Sequence, residues 1–247
     1  MAAGLGYSIA FIMVMLPFIM GRSSLKLFQG SFKKKVACNI IYNGSSEGLG
    51  EIGTGITTFL FNVTLMRYVG EVGVAAFTAI SYLSFVGNNI LIGLSDGVGV
   101  IISYNYGSGK MERVKKVLKL TAFSALLIGI GLFAVISIFA REIIAIFLDA
   151  DNDIVLNFAV DGAKLYALAF IVNGLNVVAS GYFTAIGNPK RSALIALSRG
   201  IVWVGIGIVM LPQIFGIKGI WLTVPVAELL TLILSVALMY EHFNKKY

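Results

Sequence analysis

Residues 110–140 read KMERVKKVLKLTAFSALLIGIGLFAVISIFA: five cations among the first ten positions, then twenty residues, 121–140, without a single charge. A bilayer hydrocarbon core about 30 Å thick is crossed by roughly 20 helical residues rising 1.5 Å each. The uncharged run has that length. The basic block before it is the kind of flank that holds a connection on the cytoplasmic side of a membrane. Working outward, the same pattern of long apolar runs predicts spans at about 3–20, 46–66, 74–104, 117–140, 160–185, 191–213 and 217–240. The 247 residues are 58% hydrophobic and 13% charged, with a mean hydropathy of +0.91. A soluble domain is about 45–50% apolar and about 25% charged, so that class is excluded. Long apolar runs without period-2 alternation argue against an outer-membrane barrel. The fold class is therefore an all-α polytopic membrane protein with about seven transmembrane helices.

The charges map the topology. Arg22, Lys26, Lys33, Lys34 and Lys35 follow the first span, and Lys110, Arg113, Lys115, Lys116 and Lys119 follow the third. Lys190, Arg191 and Arg199 follow the fifth, and Lys245 and Lys246 close the chain. The alternate connections hold only Arg67, Arg141 and Lys218, beside the acidic run Asp149, Asp151 and Asp153. The positive-inside rule then puts the basic connections and the C-terminus in the cytoplasm. The net charge of +7 is explained as anchoring, with no nucleic acid implied. The first span has no basic n-region and no cleavage pattern, so it reads as a true span rather than a signal peptide. The expected organisation is a transmembrane helix at 1–20, a basic cytoplasmic linker at 21–45, and a six-helix unit at 46–247. Cys38 is the only cysteine and is expected as a free, buried thiol.

Charge inside a membrane is costly, so each intramembrane acid is a functional candidate. Glu47 and Glu51, spaced i,i+4, share one helix face and repel when both are ionised. They read either as a proton-loading pair or as acids capping a helix start. Asp96, flanked by Ser95 and Gly97, suggests a local helix break facing a cavity, or else an interfacial acid paired with the Lys110 connection. Glu228 lies about 16 Å into the last span at the helical rise. No cation stands within a turn of it on that span, so a desolvated carboxyl of raised pKa is expected. Pro225 is expected to kink the helix beside it. Asn173, Asn176 and Ser180 form a polar stripe on the fifth span, while Asn62, Asn88 and Asn89 are further amides able to touch a substrate or bridge helices. Phe61, Tyr82, Phe85, Tyr166 and Phe170 could line a cavity for flat cations or simply pack. Asp161 and Lys164 are expected to pair. Gly129, Gly131, Gly205 and Gly207 suit either close helix packing or mere tolerance in lipid.

Several motifs carry a resemblance. Asn43-Gly-Ser-Ser-Glu47 and Phe61-Asn-Val-Thr-Leu-Met-Arg67-Tyr-Val-Gly70-Glu71 open the six-helix unit. Gly93-Leu-Ser-Asp96-Gly97 and Ser103-Tyr-Asn-Tyr-Gly107-Ser-Gly109-Lys110 follow. Gly181-Tyr-Phe-Thr-Ala-Ile-Gly187-Asn-Pro-Lys190 and Gly216-Ile-Lys-Gly219-Ile-Trp221 lie near the end. In this order and spacing, over about residues 40–240, they resemble the C-terminal lobe of the multidrug and toxic compound extrusion (MATE) family. The resemblance implies one six-helix lobe of a twelve-helix, two-lobe transporter, with the substrate site between the lobes near the midplane. By register, Asn173 stands where many family members carry a cation-binding aspartate, and the family's second-span acid falls near Gly55. An amide does not titrate, so the usual acidic site of this lobe is altered here.

The implied activity is proton- or sodium-coupled antiport of organic cations, with ion coupling resting on Glu47, Glu51, Asp96 or Glu228. Asn62, Asn88, Asn173, Asn176 and Ser180 would line the cavity. Implied partners are small organic cations, membrane lipid and the N-terminal lobe of the same transporter, in the plasma membrane, with no cofactor. Two alternatives stand beside this: a lipid-linked sugar flippase of the broader superfamily, or a non-transporting truncated protein. Enzyme readings lack parts: the one histidine, His242, stands in the C-terminal tail far from Cys38, and there is no phosphate-binding Gly-rich loop.

Overall fold

A computed structural model describes residues 2–22, 33–148 and 153–246. Lys26 of the basic linker, and Asp149 and Asp151 of the acidic run, lie outside the described residues. The chain divides into two units, Met1–Ile41 and Tyr42–Tyr247. The first holds α1 (Ala2–Ile19) and the opening turns of α2 (Lys34–Tyr68). α1 stops at Gly21, whose φ of 66° is a left-handed geometry that only glycine adopts freely. Cys38 is exposed rather than buried, because the start of α2 presents it on an open helix face.

The second unit continues through α2 into α3 (Glu71–Gly107), α4 (Met111–Ile138), α5 (Ala140–Ile144) and α6 (Asp153–Ala167). Then come α7 (Phe170–Ala185), α8 (Pro189–Leu197), a π-turn (Ser198–Val202), α9 (Trp203–Phe215) and α10 (Ile217–Lys246). Among the described residues, four helical segments are long and apolar enough to cross a membrane: α3, α4, α8 through α9, and α10. A fifth is the pair α6 and α7, bent by 47°. α2 is longer still than most, but Glu47, Glu51 and four threonines make it less apolar.

Local chemistry sets the boundaries. Asn188 caps α8 by accepting from the Arg191 N–H at 3.4 Å, with Pro189 in the first turn where its missing N–H costs nothing. α3 runs unbroken for 37 residues, so the break expected around Asp96 does not occur. One glycine beside a serine is too weak a breaker against the apolar packing on both sides of it. α10 likewise continues through Pro225. Among the described residues, the one broken span is α6 and α7. There the carbonyl of Phe170 lies against Gly129 of α4, in the space a Cβ would fill. Gly129 is thus a packing glycine, and Gly207 meets Thr223 of α10, whereas Gly131 and Gly205 face open space.

The core is assembled by equally close approaches. Trp221, 2% exposed, places its ring so that a Cβ on Gly162 would sit 2.7 Å from it. Phe61 stacks on Phe77 at 4.8 Å. Gly53 of α2 and Gly200 of the π-turn meet backbone to backbone, each Cβ position 3.1–3.2 Å from the other's Cα. Small residues allow such contacts, which supply the dispersion energy that hydrophobicity cannot supply between helices in lipid.

Candidate coupling cluster

Six polar side chains from α3, α7, the π-turn and α10 form one chain of hydrogen bonds. Arg199 donates from Nε at 3.1 Å and Nη2 at 2.8 Å to Oε1 of Glu228. Its Nη2 also donates to Oδ1 of Asn173 at 2.6 Å, and Asn173 donates onward to Oδ1 of Asn88. On the other side, Nδ2 of Asn176 donates to Oε2 of Glu228 at 2.7 Å and to the Glu228 carbonyl at 2.9 Å. Ser235, two turns along α10, donates to Oδ1 of Asn176 at 2.9 Å. The Glu228 side chain is 5% exposed and that of Arg199 24%. Both carboxylate oxygens are satisfied and the charge is matched, the condition under which an ion pair is tolerated out of water.

The π-turn makes the pair possible. A π-turn adds a residue to the helical register and takes carbonyls out of the ladder. The Gly200 carbonyl accepts from Thr57 Oγ1 of α2 at 2.9 Å instead. Arg199, beside it, points toward α7 and α10.

This corrects the sequence-based expectation at Glu228. A cation does neutralise it, but from a different helix, where spacing along α10 cannot reveal it. Arg199 is not a residue of a basic connection. It lies ten positions past Pro189, or about 15 Å into the span, and that count is the signal that could have found it. The remaining cations of that connection, Lys190 and Arg191, do sit at the start of α8.

The other candidates fall into separate places. Asn88, Asn173 and Asn176 join the cluster, but Ser180 does not. Ser180 bonds Ser192 of α8 at 2.9 Å, Ser192 bonds Thr184 at 2.8 Å, and Thr184 meets Ser46 of α2 at 3.3 Å. This is a second, hydroxyl ladder. Asn62 spends its amide on the Thr58 carbonyl of its own helix at 2.9 Å, and Asn89 does the same with Phe85 at 2.8 Å. Phe61 and Phe170 are packed in the core, Tyr82 and Phe85 are exposed, and Tyr166 bonds Ser84 within electrostatic reach of Arg199 and Glu228. Asp161 and Lys164, both exposed, form no ion pair among those found. His242 is not in a free tail: it is 3% exposed in α10, edge-on to Tyr182 at 5.8 Å.

Glu47, Glu51 and Asp96 make a different site. Glu47 on α2 lies within electrostatic reach of Glu51 one turn on and of Asp96 on α3, and all three are exposed. No arginine or lysine pairs with them within 4 Å among the described residues. Asp96 therefore does not pair with Lys110.

Comparison with known proteins fits this architecture. Residues 51–209 match the MatE family model. The multidrug export protein MepA of Staphylococcus saprophyticus is 24% identical over 207 residues, covering 84% of this chain and 45% of that protein. MepA of Staphylococcus haemolyticus is 26% identical over 191 residues, covering 77% and 41%. The chain spans about half the length of the curated relatives it matches. A multidrug resistance MATE family transporter of the MOP superfamily, solved in an outward-facing conformation, superposes with a TM-score of 0.88 over 98% of this chain and 55% of that one, at 16% identity.

Proposed function

The chain belongs to the MatE family, and from that premise we propose that it forms one lobe of a secondary efflux transporter exchanging protons or sodium ions for organic cations. That its relatives are named multidrug export proteins supports a small-molecule cargo. An N-terminal lobe would complete the substrate cavity, and the basic connections and C-terminus would face the cytoplasm of a plasma-membrane protein.

The observation that carries the coupling reading is the patch of Glu47, Glu51 and Asp96. Three exposed carboxylates gather on α2 and α3, with no cation paired to them among the described residues. We read this concentration of unpaired negative charge as the place where the coupling ion binds. A conformation that opens the patch to the side of higher ion concentration is thereby stabilised, and substrate release is linked to ion binding by differential affinity. Glu228 takes a structural role in this scheme, its charge committed to Arg199. A lipid-linked sugar cargo would call for cationic side chains facing the cavity, and the guanidinium of Arg199 is already engaged by Glu228 and Asn173.

The test is dye efflux from proteoliposomes holding this chain and an N-terminal lobe, under an imposed proton or sodium gradient. Gradient-driven efflux that collapses in E47Q/E51Q/D96N, with dye binding retained, is the expected result. Efflux of equal rate in that variant would remove the patch from the mechanism.

A further inference from the structure

A cleft of about 480 Å³ opens between α4, α7 and α10. Its walls are almost wholly apolar, with Ala122 and Val178 on two sides and Ser235 in α10 as the sole hydroxyl deep within it. Its mouth is polar: Lys115 and Lys119 from the first turns of α4, and Tyr240 from the last turns of α10. No carboxylate lines it. Glu112 reaches Lys115 at 3.4 Å on the solvent side, and residues 110–119 still carry five cations against that one acid.

This is a surface with two chemistries in fixed order. An apolar slot between membrane helices takes a hydrocarbon chain, while ammonium groups at the mouth take an anion as point charges. A free phosphate would gain nothing from the slot, and an organic cation would be repelled at the mouth. A zwitterionic lipid would bring its own cation against the lysines. Tyr240, 70% exposed at the same level, is the kind of aromatic that marks the headgroup region. Basic pockets between transmembrane helices on the cytoplasmic side recognise anionic headgroups.

We propose that this cleft is a binding site for one anionic glycerophospholipid, its acyl chain between α4, α7 and α10 and its phosphate held by Lys115 and Lys119. The order of apolar slot and cationic mouth selects this occupant, whatever cargo the lobe carries.

The experiment uses the purified 247-residue chain in detergent micelles, with phosphatidylglycerol and phosphatidylcholine of matched chains as probes and retained lipid counted by native mass spectrometry. The wild type is expected to retain phosphatidylglycerol selectively. K115Q/K119Q is expected to lose about twenty-five-fold in that affinity, because each lysine facing an anionic headgroup contributes roughly a factor of five. K115R/K119R should keep it. Ala122→Trp, which leaves every charge in place, should lose it by filling the slot. K34Q/K35Q, which removes two cations elsewhere, should not change it. Equal retention of both lipids by the wild type would overturn the proposal. So would an unchanged Ala122→Trp, or a loss in K34Q/K35Q as large as in K115Q/K119Q, which would indicate diffuse attraction only.

Discussion

Glu228 and the patch of Glu47, Glu51 and Asp96 place the same functional group on membrane helices under opposite conditions. Glu228 is almost fully buried, receives three side-chain hydrogen bonds and faces a guanidinium. The patch is exposed, its members repel one another, and no cation pairs with them among the described residues. The difference separates two uses of charge in a bilayer. A carboxylate with both oxygens bonded and its charge matched fixes how helices dock. One with neighbours of its own sign is available to exchange an ion. Depth in the membrane alone, which favours Glu228, does not distinguish them.

The largest effect expected comes from breaking the pair at one end. Arg199→Met or Glu228→Met alone leaves a buried, unmatched charge and should cost about 3–5 kcal/mol, whereas the double substitution should return to within about 1 kcal/mol of wild type. Unfolding in mixed micelles, followed by helical circular dichroism, reads this directly. Additive losses in the double variant would mean the two charges do not stabilise each other. Next comes the contact that joins α2, which carries part of the patch, to the turn that carries Arg199. Gly200→Leu should destabilise by about 1–3 kcal/mol through overpacking against Gly53, and Gly131→Leu, in open space, should not. E47Q/E51Q/D96N should shift stability by no more than about 0.5 kcal/mol, since exposed groups away from packed features contribute little. A loss comparable to that of Glu228→Met would erase the contrast. Smallest of all, Asn62→Ala removes an amide bonded within its own helix and should cost well under about 0.5 kcal/mol.

Much of this is legible in the sequence, for reasons that are physical. Span positions follow from runs such as 121–140, because the bilayer thickness sets a length scale. Asn173 and Asn176 sit three residues apart, so helical periodicity places them on one face, and both enter the cluster. Arg199 was hidden because a tally of cations by connection assigns it to the nearest loop, while the π-turn that aims it at Glu228 has no sequence signature of its own. Ser180 keeps the same helical stripe as Asn176, yet α8 packs against it and supplies Ser192. The bend at α6 and α7 was equally invisible, since neither proline nor glycine marks residues 167–170; the glycine that permits it stands on α4. Pairings between helices far apart in sequence are where one-dimensional spacing stops informing.

We assign ion coupling in this lobe to the exposed patch and not to Glu228. Proton or sodium uptake per dye molecule expelled, measured in lightly buffered proteoliposomes containing this chain and an N-terminal lobe, tests it most directly. E47Q/E51Q/D96N is expected to lose gradient-driven dye efflux together with the ion uptake that accompanies it while still binding dye, and R199M/E228M to keep the wild-type ratio. Retained uptake in the first variant, or lost uptake in a folded second one, would contradict it.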